Sequence, residues 1–175
     1  MMARKSRRKD PLKLLLTAFS LILCILIGLF LKNSKPEIST DADFVKIIDV
    51  GQAECILLYS DGQSALIDAG LDSTSNDVAI ALQECGIKEL DVLMISHLHS
   101  DHSGGVPNLF DNFSVKNLIL PELSIGSEGM SHAQFAINAV TNSGGEVFNA
   151  VQGMNFLIGD FEITVFEKYA LAIAK

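Results

Sequence analysis

The hydrophobic pattern changes character twice along the chain. Residues 14–31, "LLLTAFSLILCILIGLFL", form an unbroken run of eighteen positions without a charge. At 1.5 Å per residue such a helix spans about 27 Å, close to a hydrocarbon core of roughly 30 Å. Residues 32–43, "KNSKPEISTDAD", carry Pro, Ser, Asn and charges without apolar periodicity and predict a linker. From Phe44 to the end the apolar residues fall into short blocks separated by turn residues, the pattern of a globular domain over 44–175.

Within that domain, "FVKIIDV" (44–50) and "CILLYS" (55–60) are rich in apolar and β-branched residues and predict strands. Asp61-Gly62 is a tight hairpin signal, and "SALIDAG" (64–70) returns as a third strand ending in Gly70. "STSNDVAIALQECG" (73–86) opens on capping residues and stops at Gly86, which predicts a helix. "DVLMIS" (91–96) predicts a strand, residues 104–111 a short helix, and "VKNLIL" (115–120) a strand stopped by Pro121. "SHAQFAINAVTNSGG" (131–145) predicts an amphipathic helix with a glycine stop. "EVFNAV" (146–151), "NFLI" (155–158) and "FEITVF" (161–166) predict strands, the last two joined at Gly159-Asp160. The final residues, "EKYALAIAK", leave strand-like alternation. The order βββαβαβαβββ points to a sheet with helices on one face, an α/β architecture.

Charge sharpens the division. Eight of thirteen Lys/Arg lie in residues 1–35, six of them in the first thirteen. Residues 36–175 hold five Lys/Arg against twenty Asp/Glu, a net −15. A basic start before an apolar run predicts a signal anchor with residues 1–13 in the cytoplasm and the domain on the extracytoplasmic side of the cell membrane. A cleaved signal peptide is the alternative, but its apolar region is usually shorter and ends at a small-x-small site, which "KNSKPEIST" lacks. An acidic domain is repelled by phosphate backbones, so nucleic acid is disfavoured as a partner. Cys24, Cys55 and Cys85 are odd in number and irregularly spaced, so no disulfide framework follows.

The chemistry is concentrated in "ISHLHSDHSGG" (95–105), where three of the four histidines fall within six residues. In extended backbone, residues i and i+2 point the same way, so His97 and His99 can hold one metal between them. Asp101 and His102 follow at the turn into a helix and can reach a second. Imidazole with carboxylate is a mixed N/O set that zinc accepts, with iron or manganese as rivals. Two metals about 3.5–4 Å apart can share a hydroxide and clamp an ester or amide oxygen. Asp101 is then the catalytic candidate, orienting that hydroxide as well as binding metal. Gly104 and Gly105 stand where a side chain would crowd the helix start.

"HLHSDH" resembles the His-x-His-x-Asp-His signature of the metallo-beta-lactamase superfamily, and "SHLHSDHSGGV" resembles its usual flanks. "FVKIIDVGQAECILLYSDGQSALIDAG" looks like the opening strands of the branch that includes the hydrolase domain of late-competence DNA-uptake proteins. That branch reads Asp-Val-Gly-Gln-Gly-Asp-Ser where this chain has Ala53, Glu54 and Cys55 in the last three positions. The resemblance covers about residues 43–166 and is most specific at 95–105. It implies an αββα sandwich of two similar halves, two zinc ions on His97, His99, Asp101 and His102, and Asp68 at the end of the third strand supporting the metal loop. It also implies later ligands: a third histidine, a bridging aspartate and a last histidine. Beyond the cluster the chain offers only His132, which reads as a solvated helix-start residue, and Asp160, which reads as a hairpin residue. The expectation is therefore mainly the N-terminal half of the fold, with the chain cut short at its C-terminus.

Two functions from different classes follow. The first is a membrane-anchored, metal-dependent hydrolase acting on an ester, an amide or, as the competence-like opening suggests, a phosphodiester. The second is an inactive remnant or binding subunit that needs another polypeptide to complete its site.

Overall fold

The structure, a computed structural model, describes residues 16, 19–27, 42–124, 126–167 and 170–175. The basic stretch 1–13, both ends of the expected membrane span 14–31, and most of the linker 32–43 lie outside the described residues. Residues 19–27 are helical with exposed side chains, and among the described residues no helix is long and apolar enough to cross a membrane. The chain divides into two compact units, Met1–Pro36 and Glu37–Lys175.

The second unit is built on a six-stranded sheet in the order β1 (Phe44–Ile47), β2 (Ile56–Ser60), β3 (Gln63–Ile67), β4 (Glu89–Met94), β5 (Ser114–Leu120) and β6 (Glu146–Asn149). The first three strands run antiparallel and β3 through β6 run parallel. The parallel steps need crossovers, which helices supply. They are α1 (Ser75–Glu84), the single turn α2 (Ser100–Ser103), α3 (Val106–Asn112) and α4 (Met130–Asn142). A second, antiparallel sheet holds β7 (Asn155–Ile158), β8 (Phe161–Glu167) and β9 (Ala170–Ala174).

Side-chain alternation divides the core in two. Leu66, Leu93 and Leu118 point to the helices and join Leu82, Leu109 and Val140 there. Their neighbours Ile67, Met94 and Ile119 point the other way, onto Ile158, Ile163 and Val165 of the second sheet. The described layers are thus helix, sheet and sheet, an α/β arrangement of the kind the sequence predicts.

The turn chemistry accounts for the boundaries. Asp61 and Gly62 take φ of 48° and 76°, the paired left-handed conformation of a two-residue hairpin. Helix α1 ends with Gly86 at φ 73°, its N–H on the Gln83 carbonyl and that of Ile87 on the Leu82 carbonyl, a Schellman stop. Strand β3 stops at Ile67, short of the expected Gly70, because Asp68 turns to φ 60°.

The tail departs from expectation. Residues 170–174 are a strand, β9, paired antiparallel with β8 through Ile163–Ile173 and Val165–Leu171. The alternation is present in "ALAIA", but alanine at every second position hides it. Cys55 and Cys85 are buried and unpaired.

Candidate metal centre

The cluster sits where the parallel strands β3, β4 and β5 end, the usual place for a site in an open α/β sheet. The loop after β4 carries His97, His99, Asp101 and His102, and the turn after β3 carries Asp68. Backbone hydrogen bonds lock the two segments together. Ala69 N–H donates to the His102 carbonyl at 2.8 Å, and Gly105 N–H to the Gly70 carbonyl at 2.9 Å. A Cβ at Gly105 would stand 2.1 Å from the Ala69 carbonyl oxygen, and one at Gly104 2.7 Å from the Asp72 nitrogen. Glycine is required at both because the backbones touch.

His97 and His102 are brought together most closely, with ring centroids 3.7 Å apart. The ring of His99 lies edge-on to His97 at 4.8 Å and is more exposed. One donor atom each from His97, Asp101 and His102 lie within 4.8 Å of one another. His97 therefore groups with the Asp101–His102 pair as well as with its strand-period neighbour. The sequence pattern separates those two pairs. The helical turn α2 carries His102 back beneath His97, which the pattern does not show.

Proton positions follow from the partners. Asp68 is fully buried. It accepts from Ser96 N–H at 2.8 Å, from Ser96 O–H at 2.6 Å, and from His102 Nδ1 at 2.7 Å. With its proton committed to Asp68, the Ser96 hydroxyl accepts from His97 Nδ1 at 3.1 Å. Both imidazoles then carry Nδ1–H and turn an Nε2 lone pair outward. That of His102 lies 3.6 Å from Asp101 Oδ2. Burial holds the Asp68 carboxyl above its ordinary range, against the pull of the Ser96 and His102 hydrogen bonds. Burial, reinforced by the charge of His102, lowers His97, which favours the neutral ring a metal needs. A set of imidazole nitrogens and one carboxylate, with tautomers fixed by a buried acid, fits a divalent ion.

Two further residues belong to the neighbourhood. Glu54 Oε2 lies 3.7 Å from His102 Nδ1, on the solvent side of Asp68. Its backbone is held by its own N–H on the Asp101 carbonyl and by Gly70 N–H on its carbonyl. Only its departure from the competence-like pattern distinguishes Glu54 in the sequence. His132 is not a solvated helix-start residue. It is half-buried, with Nδ1 3.1 Å from Ser103 Oγ, and it does not join the metal-ligating groups. Asp160 occupies the β7–β8 turn, far from the cluster in the fold, with its N–H on Ser60 Oγ.

Comparison with known proteins places this geometry. Residues 48–127 match the family model of the metallo-beta-lactamase superfamily. Ribonuclease Z of Alkaliphilus oremlandii is 29% identical over 76 residues, 43% of this chain and 23% of that protein. Recombination protein 2 of Haemophilus influenzae is 31% identical over 120 residues, 65% of this chain and 14% of that protein. Among solved structures, native FEZ-1 metallo-beta-lactamase from Legionella gormanii aligns with TM-score 0.52 at 18% identity, over 72% of this chain and 50% of its own. A Cronobacter sakazakii metallo-beta-lactamase aligns with TM-score 0.52 at 18% identity, over 70% and 49%. Residues 48–127 carry a metallo-beta-lactamase superfamily domain, and the fold around them is similar to that of solved metallo-beta-lactamases. The chain spans about a quarter of the length of the Ribonuclease Z proteins it matches and half that of the lactamase structures.

Proposed function

We propose that the chain is a zinc-dependent phosphodiester hydrolase held at the cell membrane by residues 14–31, with its catalytic domain on the extracytoplasmic side. The observation that carries the reading is the donor cluster. His97, Asp101 and His102 present ligand atoms within 4.8 Å of one another, with His99 beside them. A divalent ion bound there supplies Lewis acidity toward a phosphoryl oxygen and acidifies a water molecule. The protein's own part is separable. Asp68 and Ser96 fix the two ring tautomers, Asp101 sets a carboxylate at the ion and the attacking water, and the Gly104-Gly105 contact holds the loop to β3. The likeness to proteins named Ribonuclease Z supports a phosphodiester over an amide. The uncharged run 14–31 after a basic start supports the anchor.

A second reading has one observation in its favour. The sequence has four histidines, and the fourth, His132, is turned to Ser103. A further polypeptide would then supply the remaining donors. One experiment decides: zinc per chain by metal analysis of the purified full chain, together with hydrolysis of bis(p-nitrophenyl) phosphate. Tight zinc with turnover, both lost in His97→Ala and Asp101→Ala, is the expected result. Absence of tight zinc would overturn the proposal. Tight zinc without turnover would favour the second reading.

A further inference from the structure

An open cleft of about 420 Å³ adjoins the cluster on the side of β1 and β2. Its floor is apolar, formed by Ile47 and Ile56, and its wall carries Gln52, Glu54, Asp101 and His102. Ile47 is 79% exposed, on the same open face of β1 as Val45. Glu54 is half exposed, and its one ion-pair contact among the described residues is His102.

Among the described residues the positive charges lie elsewhere. No arginine occurs beyond Arg8. Lys46 lies against Cys85 on the helix side of the sheet. Lys88 precedes β4, at the strand end opposite the histidines. Lys116 is paired with Glu89 and Asp91 at that same end, and Lys175 is paired with Asp43. Among the described residues no lysine lines the cleft. A polyanion laid along it would meet the Glu54 carboxylate, and that of Asp101 wherever no divalent ion covers it, with no lysine of the described residues alongside.

We propose that this cleft is the subsite for one half of the substrate, and that this half is a compact apolar group bearing a positively charged nitrogen. The apolar part lies on Ile47 and Ile56, and the charged nitrogen faces Glu54. This rests on the hydrolase reading above and narrows it. The substrate is a small ester with a cationic end rather than a nucleic acid strand.

The test reads the cleft separately from the metal. Benzyltrimethylammonium and benzenesulfonate present similar rings with opposite charge. Each is titrated into the ¹⁵N-labelled full chain, metal-free and zinc-loaded, and followed by amide shifts. The cation is expected to bind in both states, moving Ile47, Gln52, Glu54 and Ile56, and to bind at least about tenfold tighter than the sulfonate in the metal-free state. Glu54→Gln should weaken the cation about fivefold, and Ile47→Ser should weaken it with the spectrum otherwise unchanged. Equal affinity for the two probes, shifts away from the cleft, no binding, or indifference to Glu54→Gln would each overturn the subsite. Because the cation is read without metal, a failure of zinc binding or hydrolysis bears on the hydrolase reading alone.

Discussion

Asp68 Oδ2 lies 2.7 Å from His102 Nδ1, and the aspartate making that contact has no solvent exposure. A carboxylate is costly to bury unless every lone pair facing a donor is used, and here Ser96 supplies two further donors. The pair orients one ring and, through Ser96, a second.

Asp68→Asn keeps the shape and tolerates the left-handed backbone at this position, but it turns an amide N–H₂ toward a donor. Zinc affinity should fall about ten- to a hundredfold, and stability by about 1–3 kcal/mol for the unsatisfied buried group. Competition titration against a chelator and chemical denaturation check the two separately. Unchanged zinc affinity would remove Asp68 from its orienting role.

Gly105→Ala forces a Cβ to 2.1 Å from a backbone oxygen, with no flexible side chain to yield. A cost of about 1–3 kcal/mol or more is expected, with weakened metal binding, because the strain falls between the metal loop and β3. Gly62→Ala provides the contrast. It has open space and only the positive φ to oppose it, so about 1 kcal/mol and intact metal binding are expected. Thermal melts of both variants, with and without zinc, separate steric contact from backbone strain.

Much of this could be read from the sequence, for physical reasons that differ by residue. His97, His99, Asp101 and His102 stand out because four metal-ligating residues in six positions have little other use, and Gly104-Gly105 because consecutive glycines imply backbone contact. Strands β4 and β5 were legible as apolar runs because both their faces are covered. Ser96 and Glu54 carried no such mark. Serine and glutamate are common, and their roles depend on a strand end 28 residues away in one case and a loop 48 residues away in the other. Strand β9 was hidden by small residues on its outer face.

The lysine between two carboxylates at the far end of the sheet gives a pH prediction. Lys116 hydrogen-bonds Glu89 at 2.9 Å and Asp91 at 2.8 Å. That ammonium, with the Ser114 hydroxyl, holds the Glu89 carboxyl below its ordinary value. A depressed carboxylate contributes stability above its unfolded pKa and loses it as pH falls through the folded value. Lys116→Met should therefore lower the melting temperature slightly at pH 7, and the difference from the unaltered chain should close below about pH 4. The groups are exposed, so about 0.5 M salt should also shrink it. A difference independent of pH and salt would assign the effect to packing.

Burial, and secondarily the charge of Asp68, raises the Cys55 thiol far above its ordinary value, and Cys85 is equally enclosed. In a Cys24→Ser chain neither thiol should react with a disulfide reagent at pH 8 in the folded state, and both should react in denaturant. A thiol titrating rapidly without denaturant would mean that the layer between the sheet and α1 opens.

The contact between α4 and the metal loop is the most demanding test of how the site is held. Ser103 is buried, and its hydroxyl lies 2.9 Å from the Leu98 carbonyl and 3.2 Å from that of His99. A hydroxyl has one proton. With that proton on the Leu98 carbonyl, its lone pair accepts from His132 Nδ1–H at 3.1 Å. The helix start approaches the same carbonyl so closely that a Cβ at Gly129 would stand 1.9 Å from the Leu98 oxygen. His132 thus reaches the backbone of Leu98, the residue before His99, through one serine. Ser103→Ala should cost about 1–2 kcal/mol, since a buried carbonyl loses its donor, and His132→Ala less, since its ring is half exposed. The double variant should cost less than the sum by about 0.5–1.5 kcal/mol, because the two changes remove one shared hydrogen bond. Denaturation of the four chains closes that cycle. Strict additivity would make His132 the surface residue that its sequence position suggests, whereas coupling ties helix α4 to the geometry of the metal loop.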